Sequence, residues 1–446
     1  MAVAMAAILG KTRPKLACDA LKRFRDRRDM ANRLRRFNRG LLVSDAELKS
    51  IARCGNALGN LVMIRRHRDG NLRPTGIATC KSVWGCLGCA ARKRAEKSAM
   101  VKWYVDRHLD AGKAVSFGSF TLAHYQTDEL AVLLQGLRDA FTDMRNLKVY
   151  KDAVAEYGID GWIAALEITD GDNGWHPHLH VLFFHREFLG VEYGENADLK
   201  AALHEAFARQ IDRHLGRQVH QIHGVDLVPV KTAGGDDRAL ARYLGKIQLE
   251  MTRQDLKDAR SKSSRSPWQI GLDAASTGSS QDTARWVEYL KATKGRNVVT
   301  RSQSLADIYG EPTEEEIDNM LGIEHDDDQA DEGEEAENVA SVDAAVWNDA
   351  RRVIMTDGRS LVASALAVLE DSGPDAMADL LAAYGEPIEV VTHTETGLPH
   401  LRYANEGNTI TVQTGSDDGV QPSIDYDELG PVARAWYGAV DKARSD

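Results

Sequence analysis

Trp175-His176-Pro177-His178-Leu179-His180 runs directly into the apolar stretch Val181-Leu182-Phe183-Phe184. Alternate residues of a strand point to one face, so His178 and His180 aim at the same spot, and two converging imidazoles make half of a divalent-metal site. Holding a labile metal needs a third ligand. Glu167, in Ala165-Leu166-Glu167-Ile168-Thr169, is the best candidate. The short Gly-rich turn at 170–174 lets a hairpin bring its carboxylate and both histidines onto one face. Two imidazoles and a carboxylate leave positions open for a phosphate oxygen. Mg2+ or Mn2+ suits that role, and zinc also binds such a set. His176 has the right parity, but Pro177 disturbs the strand between, so His176 is expected behind the ligands; His185 falls on the opposite parity.

A metal beside a scissile phosphate needs a nucleophile. Gly234-Gly235-Asp236 reads as a turn and N-cap opening a helix over about 237–251. Within it, Arg242-Tyr243-Leu244-Gly245-Lys246 places Tyr243 and Lys246 on one face by their i, i+3 spacing. A phenol with a pKa of about 10 is a poor nucleophile. A nearby ammonium and a polarised phosphate would favour the phenolate and stabilise the charge that develops on phosphorus. A half-buried tyrosine beside a surface lysine is the plainer alternative.

Four of the five cysteines fall together: Cys54, Cys80, Cys86 and Cys89, the last two as a C-x-x-C knuckle. Four thiolates in one small segment suit a tetrahedral structural zinc site, with buried unligated thiols as the alternative. Cys18 stands apart. Arg92-Lys93-Arg94, just after the knuckle, is placed to touch phosphates.

Charge is distributed unevenly along the 446 residues. Residues 1–310 carry 49 Lys and Arg against 35 Asp and Glu, a net of +14, while 311–446 carry 7 against 32, a net of −25. A basic body suits a polyanion such as nucleic acid, which an acidic tail would repel. The arginine-dense 11–40 tolerates a helix. Strands are expected at 115–122, 162–169, 178–184 and 219–230, and helices at 128–147 and 198–215. Polar loops are expected at 261–266 and 276–280, and 311–337 is too acidic to bury much. Helical periodicity returns around 361–369, with strand-like runs near 388–392 and 409–413. Residues 1–10 are apolar without a preceding basic region or cleavage site, and no apolar run approaches the roughly 20 residues of a membrane span. A soluble cytoplasmic protein is expected.

Together these residues resemble the rolling-circle plasmid replication initiators of the HUH endonuclease superfamily. The resemblance covers roughly 54–304: the cysteine cluster, Phe120-Thr121-Leu122, Glu167, the histidine stretch, Tyr243 with Lys246, and the stretches Trp286-Val287-Glu288-Tyr289 and Thr293-Lys294-Gly295-Arg296. It implies that a metal on His178, His180 and Glu167 polarises a phosphate at a plasmid's double-strand origin. Tyr243 would attack to give a 5′-phosphotyrosine and a 3′-OH primer, and Lys246 would steady the phosphate. DNA is the implied substrate, with host helicase and polymerase and a homodimer as further partners. Several relatives resembling this family place a Glu four residues before the tyrosine; here that position is Ala239, and neither Asp236 nor Asp237 substitutes convincingly. A transposase or mobilisation relaxase of the same superfamily is the neighbouring alternative, and a non-catalytic zinc-dependent DNA-binding protein the alternative of another class. Tyr289 stands as a spare tyrosine.

The expected fold is α+β, an antiparallel-sheet palm with helices. The expected order is a basic arm at 1–44, a Cys-rich zinc module at 45–112, the nicking domain at 113–310, an acidic linker at 311–340 and a small C-terminal domain at 341–446.

Overall fold

The computed structural model describes residues 13–67, 70–186, 197–229, 264–321 and 336–404. The chain divides into two compact units, one made of 1–55 with 78–332 and the other of 56–77 with 333–446. In chain order, α1 (Arg13–Leu42) and α2 (Lys49–Arg53) open the first unit. The hairpin β1 (Leu61–His67) and β2 (Leu72–Thr75) belongs to the second. The first unit resumes with α3 (Leu87–Asp110), β3 (Ala114–Thr121), α4 (Leu130–Met144), α5 (Lys148–Glu156), β4 (Ile159–Gly171) and β5 (Gly174–His185). It continues through α6 (Ala197–Leu215), β6 (Val225–Pro229), β7 (Ser264–Arg265), α7 (Pro267–Thr277), α8 (Ser280–Thr293), β8 (Val299–Arg301), α9 (Gln303–Tyr309) and α10 (Glu314–Met320). The second unit then adds β9 (Ala336–Asp343), α11 (Ala344–Ala350), α12 (Leu361–Ser372), α13 (Pro374–Ala382), β10 (Ile388–Thr392) and β11 (Pro399–Tyr403).

The first unit is α+β. Its sheet has the order β6-β3-β5-β4-β7, with β8 also on β4, and every pairing is antiparallel. Central β5 reads as an unbroken apolar run because both faces are covered: Val181, Leu182, Phe183 and Phe184 are all buried. On one face Phe183 meets Phe120, which in turn packs edge-on against Phe141 of α4 and Phe207 of α6. On the other face His108 of α3 packs against Phe184.

Pro177 does not interrupt β5, contrary to the expectation from sequence. β3 pairs with β5 only as far as His178, so among the described residues β4 is the one strand neighbour of residues 174–177. A missing N–H costs no ladder bond at such an edge. His176 therefore stays in register opposite Thr169 and on the face of His178.

The division of the chain differs from the one expected. Residues 61–75 do not join a cysteine module; β1 pairs with β9 in a second sheet of order β10-β11-β9-β1-β2, in which β11 and β9 run parallel. Val62, Ile64 and Leu72 bury into one cluster with Val342, Trp347 and Leu366, which outweighs proximity in sequence. The acidic stretch begins with a helix rather than a linker: Thr313 and Glu316 form a capping box on α10. In α1, Leu34 and Leu42 are buried, and Asn38 donates to the Gly85 carbonyl (3.0 Å) and accepts from Trp286 Nε1 (2.8 Å). One face of this part of the basic arm is thus built into the core, while Arg27 stays exposed. The loop expected at 261–266 ends in β7, with Ser266 capping α7. The strand expected at 409–413 lies outside the described residues.

Candidate functional site

Strand register assembles the first cluster. Glu167 on β4 sits directly opposite His178 on β5, and Ala165 opposite His180. The small Ala165 leaves room for the Glu167 side chain to reach both rings. Its Oε2 lies 2.8 Å from His178 Nε2 and 2.7 Å from His180 Nε2, and the two Nε2 atoms are 3.1 Å apart. All three residues are largely enclosed, Glu167 at 4% exposure. Hydrogen bonding alone explains this poorly, because two ring nitrogens both donating to one oxygen would face each other as donors. A cation resolves the conflict, and the group could hold one. Ligand atoms 2.7–3.1 Å apart match the edge of an octahedron with bonds of about 2.1 Å, roughly 3.0 Å, better than a tetrahedral edge of about 3.4 Å.

The surroundings suit ligation. Ser119 Oγ lies 3.1 Å from His180 Nδ1, which fixes the ring with Nε2 turned to the centre, and Phe117 stacks on the same imidazole. Both residues lie on the β3 face that alternation assigns to the histidines, as does Thr121, opposite His178. The neighbours run outward as a file of rings. His180 and His178 have centroids 4.7 Å apart, His178 and His176 5.1 Å, and His176 and His124 4.6 Å. Burial, then the neighbouring His178 and His124 imidazoles, push His176 down to about 4, so this ring is neutral at pH 7.

The odd-numbered residues of the motif anchor the opposite face. Trp175 is fully buried, stacks on Tyr289 (6.2 Å), and lies under the Arg285 guanidinium, which is 2.5 Å from Asp170. Tyr289 is itself 0% exposed, and burial pushes its phenol up. It faces away from the histidines and packs as core, which removes it as a spare nucleophile. Tyr243, Lys246, Ala239 and the helix expected around them lie outside the described residues.

The second cluster joins three segments: Cys54 after α2, Cys80 in the following loop, and Cys86 with Cys89 at the start of α3. The four sulfurs lie within 4.8 Å of one another, with Cys54 Sγ 3.5 Å from Cys86 Sγ and 3.7 Å from Cys89 Sγ. A tetrahedron with bonds of about 2.3 Å has edges of roughly 3.8 Å, so the four thiols fit a metal ion of that type. Sulfur hydrogen bonds from Cys54, Cys80 and Cys89 hold the Cys86 thiol well below its ordinary range, and Arg35 adds to the effect. Arg35 reaches the site from α1; burial opposes its charge, but Cys86, Cys54 and Cys89 together outweigh that and hold it protonated. A Cβ on Gly88 would meet the Arg35 guanidinium, which would have to shift to admit it. Gly88→Ala is therefore expected to push Arg35 off the sulfurs and weaken binding of a thiophilic metal about 10- to 100-fold, as read by chelator competition.

The basic run beside the knuckle divides by burial. Arg94 is 0% exposed, donates to the Val83 carbonyl (3.1 Å) and packs over Trp84, so it cannot meet a phosphate. Arg92 and Lys93 reach solvent, and both pair with Glu96. Sequence reasoning missed Ser119, Phe117, His124 and Arg35. Strand parity around Phe120-Thr121-Leu122 could have found the first two; nothing local marks Arg35.

Among the described residues no helix is long and apolar enough to cross a membrane. No protein-family model and no solved structure matches the chain. A Streptomyces cyanogenus protein named "Neomycin resistance protein" is 28% identical over 146 residues, 27% of this chain and 33% of its own length. A Streptomyces lividans protein named "Protein rep" is 27% identical over 428 residues, covering 80% of this chain and 86% of its own length. Along most of its length, then, the chain carrying these two clusters is similar to that Streptomyces protein.

Proposed function

We propose that the protein initiates plasmid replication by the rolling-circle route, nicking one strand at a double-strand origin through a tyrosyl–DNA intermediate of the HUH type. The convergence of Glu167, His178 and His180 on one point carries this reading. Likeness over most of the chain to a protein named "Protein rep" supports it.

Glu167, His178 and His180 would hold Mg2+ or Mn2+, which when bound supplies Lewis-acid polarisation of a phosphate oxygen. Ser119 keeps the His180 ring turned for that task. Tyr243 Oη attacks phosphorus and the bond from phosphorus to the 3′ oxygen breaks. The 5′ phosphate stays on the tyrosine, and the released 3′-OH primes synthesis. Lys246, three residues on in sequence, steadies the phenolate and the phosphate. The phosphotyrosine keeps a phosphodiester in place, so attack by a later 3′-OH reseals the strand. Cys54, Cys80, Cys86 and Cys89 would hold structural Zn2+. Arg92 and Lys93 remain available to origin phosphates; Arg94 does not.

Incubation of the full chain with a single-stranded oligonucleotide carrying the replicon's origin and Mn2+, followed by peptide mass mapping, tests the proposal. A covalent adduct on Tyr243 is expected, absent in EDTA and absent from Tyr243→Phe. An adduct formed equally well by Tyr243→Phe would rule out that nucleophile.

A further inference from the structure

The file of imidazoles that leaves the candidate metal site ends at His124, next in sequence to an exposed tyrosine. His124 stacks on His176 at 4.6 Å and 22°, and its Nδ1 lies 3.1 Å from the Asn173 carbonyl in the β4–β5 turn. Tyr125, the next residue, is 56% exposed, leaving its ring open to solvent. Its position is nonetheless fixed. Asp128 Oδ2 accepts from the Tyr125 backbone N–H (2.8 Å), the Asp128 N–H returns a bond to the Tyr125 carbonyl (3.0 Å), and Asp128 Oδ1 is 2.5 Å from Arg217. The Arg217 guanidinium lies over the Tyr125 ring, 4.5 Å from its centroid. Gly174 closes the arrangement: its φ is +85°, and a Cβ there would come within 2.9 Å of Gln126 Cα and 3.0 Å of the Tyr125 carbonyl. The turn of the β4–β5 hairpin can thus press directly against this loop.

A lone exposed tyrosine needs no explanation. Here the ring lies against an arginine that Asp128 holds in place, and the residue follows a histidine that is one ring removed from His176 and two from His178. Unpaired bases bind proteins by stacking on aromatic, imidazole and guanidinium planes, each base worth about 1–3 kcal/mol. We propose that Tyr125, with His124 and His176, is a stacking platform for unpaired bases of single-stranded DNA flanking the phosphate that the metal site receives. This rests on the reading of the protein as a DNA strand transferase and specifies how it grips its substrate. The platform recognises base planes rather than phosphate charge, so it demands melted rather than duplex DNA.

Fluorescence anisotropy with fluorescein-labelled (dT)20 and the full-length protein in EDTA tests the platform without strand cleavage. Tyr125→Ala and His176→Ala are each expected to weaken binding about 5- to 150-fold, and Tyr125→Phe, which keeps the ring, to bind as the parent does. On a 20-mer abasic strand of the same phosphate length, parent and Tyr125→Ala should bind equally, and the salt dependence should be unchanged because no phosphate contact is lost. Equal binding of (dT)20 by parent and Tyr125→Ala overturns the platform, as does an equal loss on the abasic strand. Failure of the two readings separates cleanly. A protein that shows the ring-dependent binding but forms no adduct with Mn2+ keeps the platform and loses the nicking reaction. One that forms the adduct with Tyr125→Ala unimpaired in binding keeps the reaction and loses the platform.

Discussion

Glu167→Gln is expected to lower Mn2+-dependent strand cleavage about 10³-fold, on the order of 4 kcal/mol of barrier. The substitution keeps the shape of the side chain and removes its charge, which separates ligation from packing. Among the described residues Glu167 is the one anionic member of its cluster, and a single oxygen serves both histidines at 2.7 and 2.8 Å. A neutral amide oxygen in its place binds a hard cation weakly, and the amide nitrogen cannot bind it at all. At 4% exposure, water cannot easily take over as the missing ligand. The fold has little reason to object, because Ala165 and the β5 register leave the same space for Gln as for Glu. The expected result is therefore a protein with unchanged thermal unfolding in EDTA, a raised half-saturating Mn2+ concentration and slow cleavage even at excess metal. Cleavage by Glu167→Gln at the parent rate across a Mn2+ titration would remove Glu167 from the ligand set and leave the two histidines without their anion.

Much of that cluster could be read from the chain because its determinants are local. The hairpin brings positions 167 and 178 face to face after a two-residue turn, so parity and a turn signal suffice. Pro177 misled for a physical reason: a proline in a strand is costly only where its N–H would be paired, and only the tertiary partner shows that β3 stops at His178. The two-unit division was not legible at all. Leu61 pairs with Asp343 across most of the chain, and no local pattern announces a partner at that distance. Composition likewise described charge but not position, since Arg94 and Arg35 belong to a basic stretch yet serve the interior. The cysteines lie between these cases. Their clustering in sequence suggested a shared ion, while Arg35 joins them from a separate helix upstream of Cys54.

Cys86→Ser is expected to lower the melting temperature of the first unit by about 10 °C, the effect of losing roughly 4 kcal/mol from a domain of this size. Apparent binding free energies of structural zinc are larger, about 10–16 kcal/mol in small peptides. A large hydrophobic core carries part of the load here. Serine matches cysteine in size but is no ligand for a soft ion, so the change removes one corner of the tetrahedron and leaves three thiolates crowded in a dry site. What the ion would join explains why the loss spreads. Cys54 ends α2, Cys80 lies in the loop after β2, and Cys86 caps the start of α3, three segments that an ion would tie together beside the apolar cluster they share through Ile51, Ala52, Trp84 and Ala90. Two residues before Cys86, Trp84 donates to the Arg296 carbonyl (2.8 Å) and packs edge-on against Tyr289, which stacks on Trp175 at the head of the histidine strand. Loosening the knuckle therefore frees the rings that back the metal face without touching any of its ligands. Metal analysis should find about one zinc fewer per chain, and cleavage measured well below the new melting point should recover most of the parent rate. A Cys86→Ser protein with the parent's zinc content and melting temperature would mean that the four thiols stand free, packed together for their volume alone.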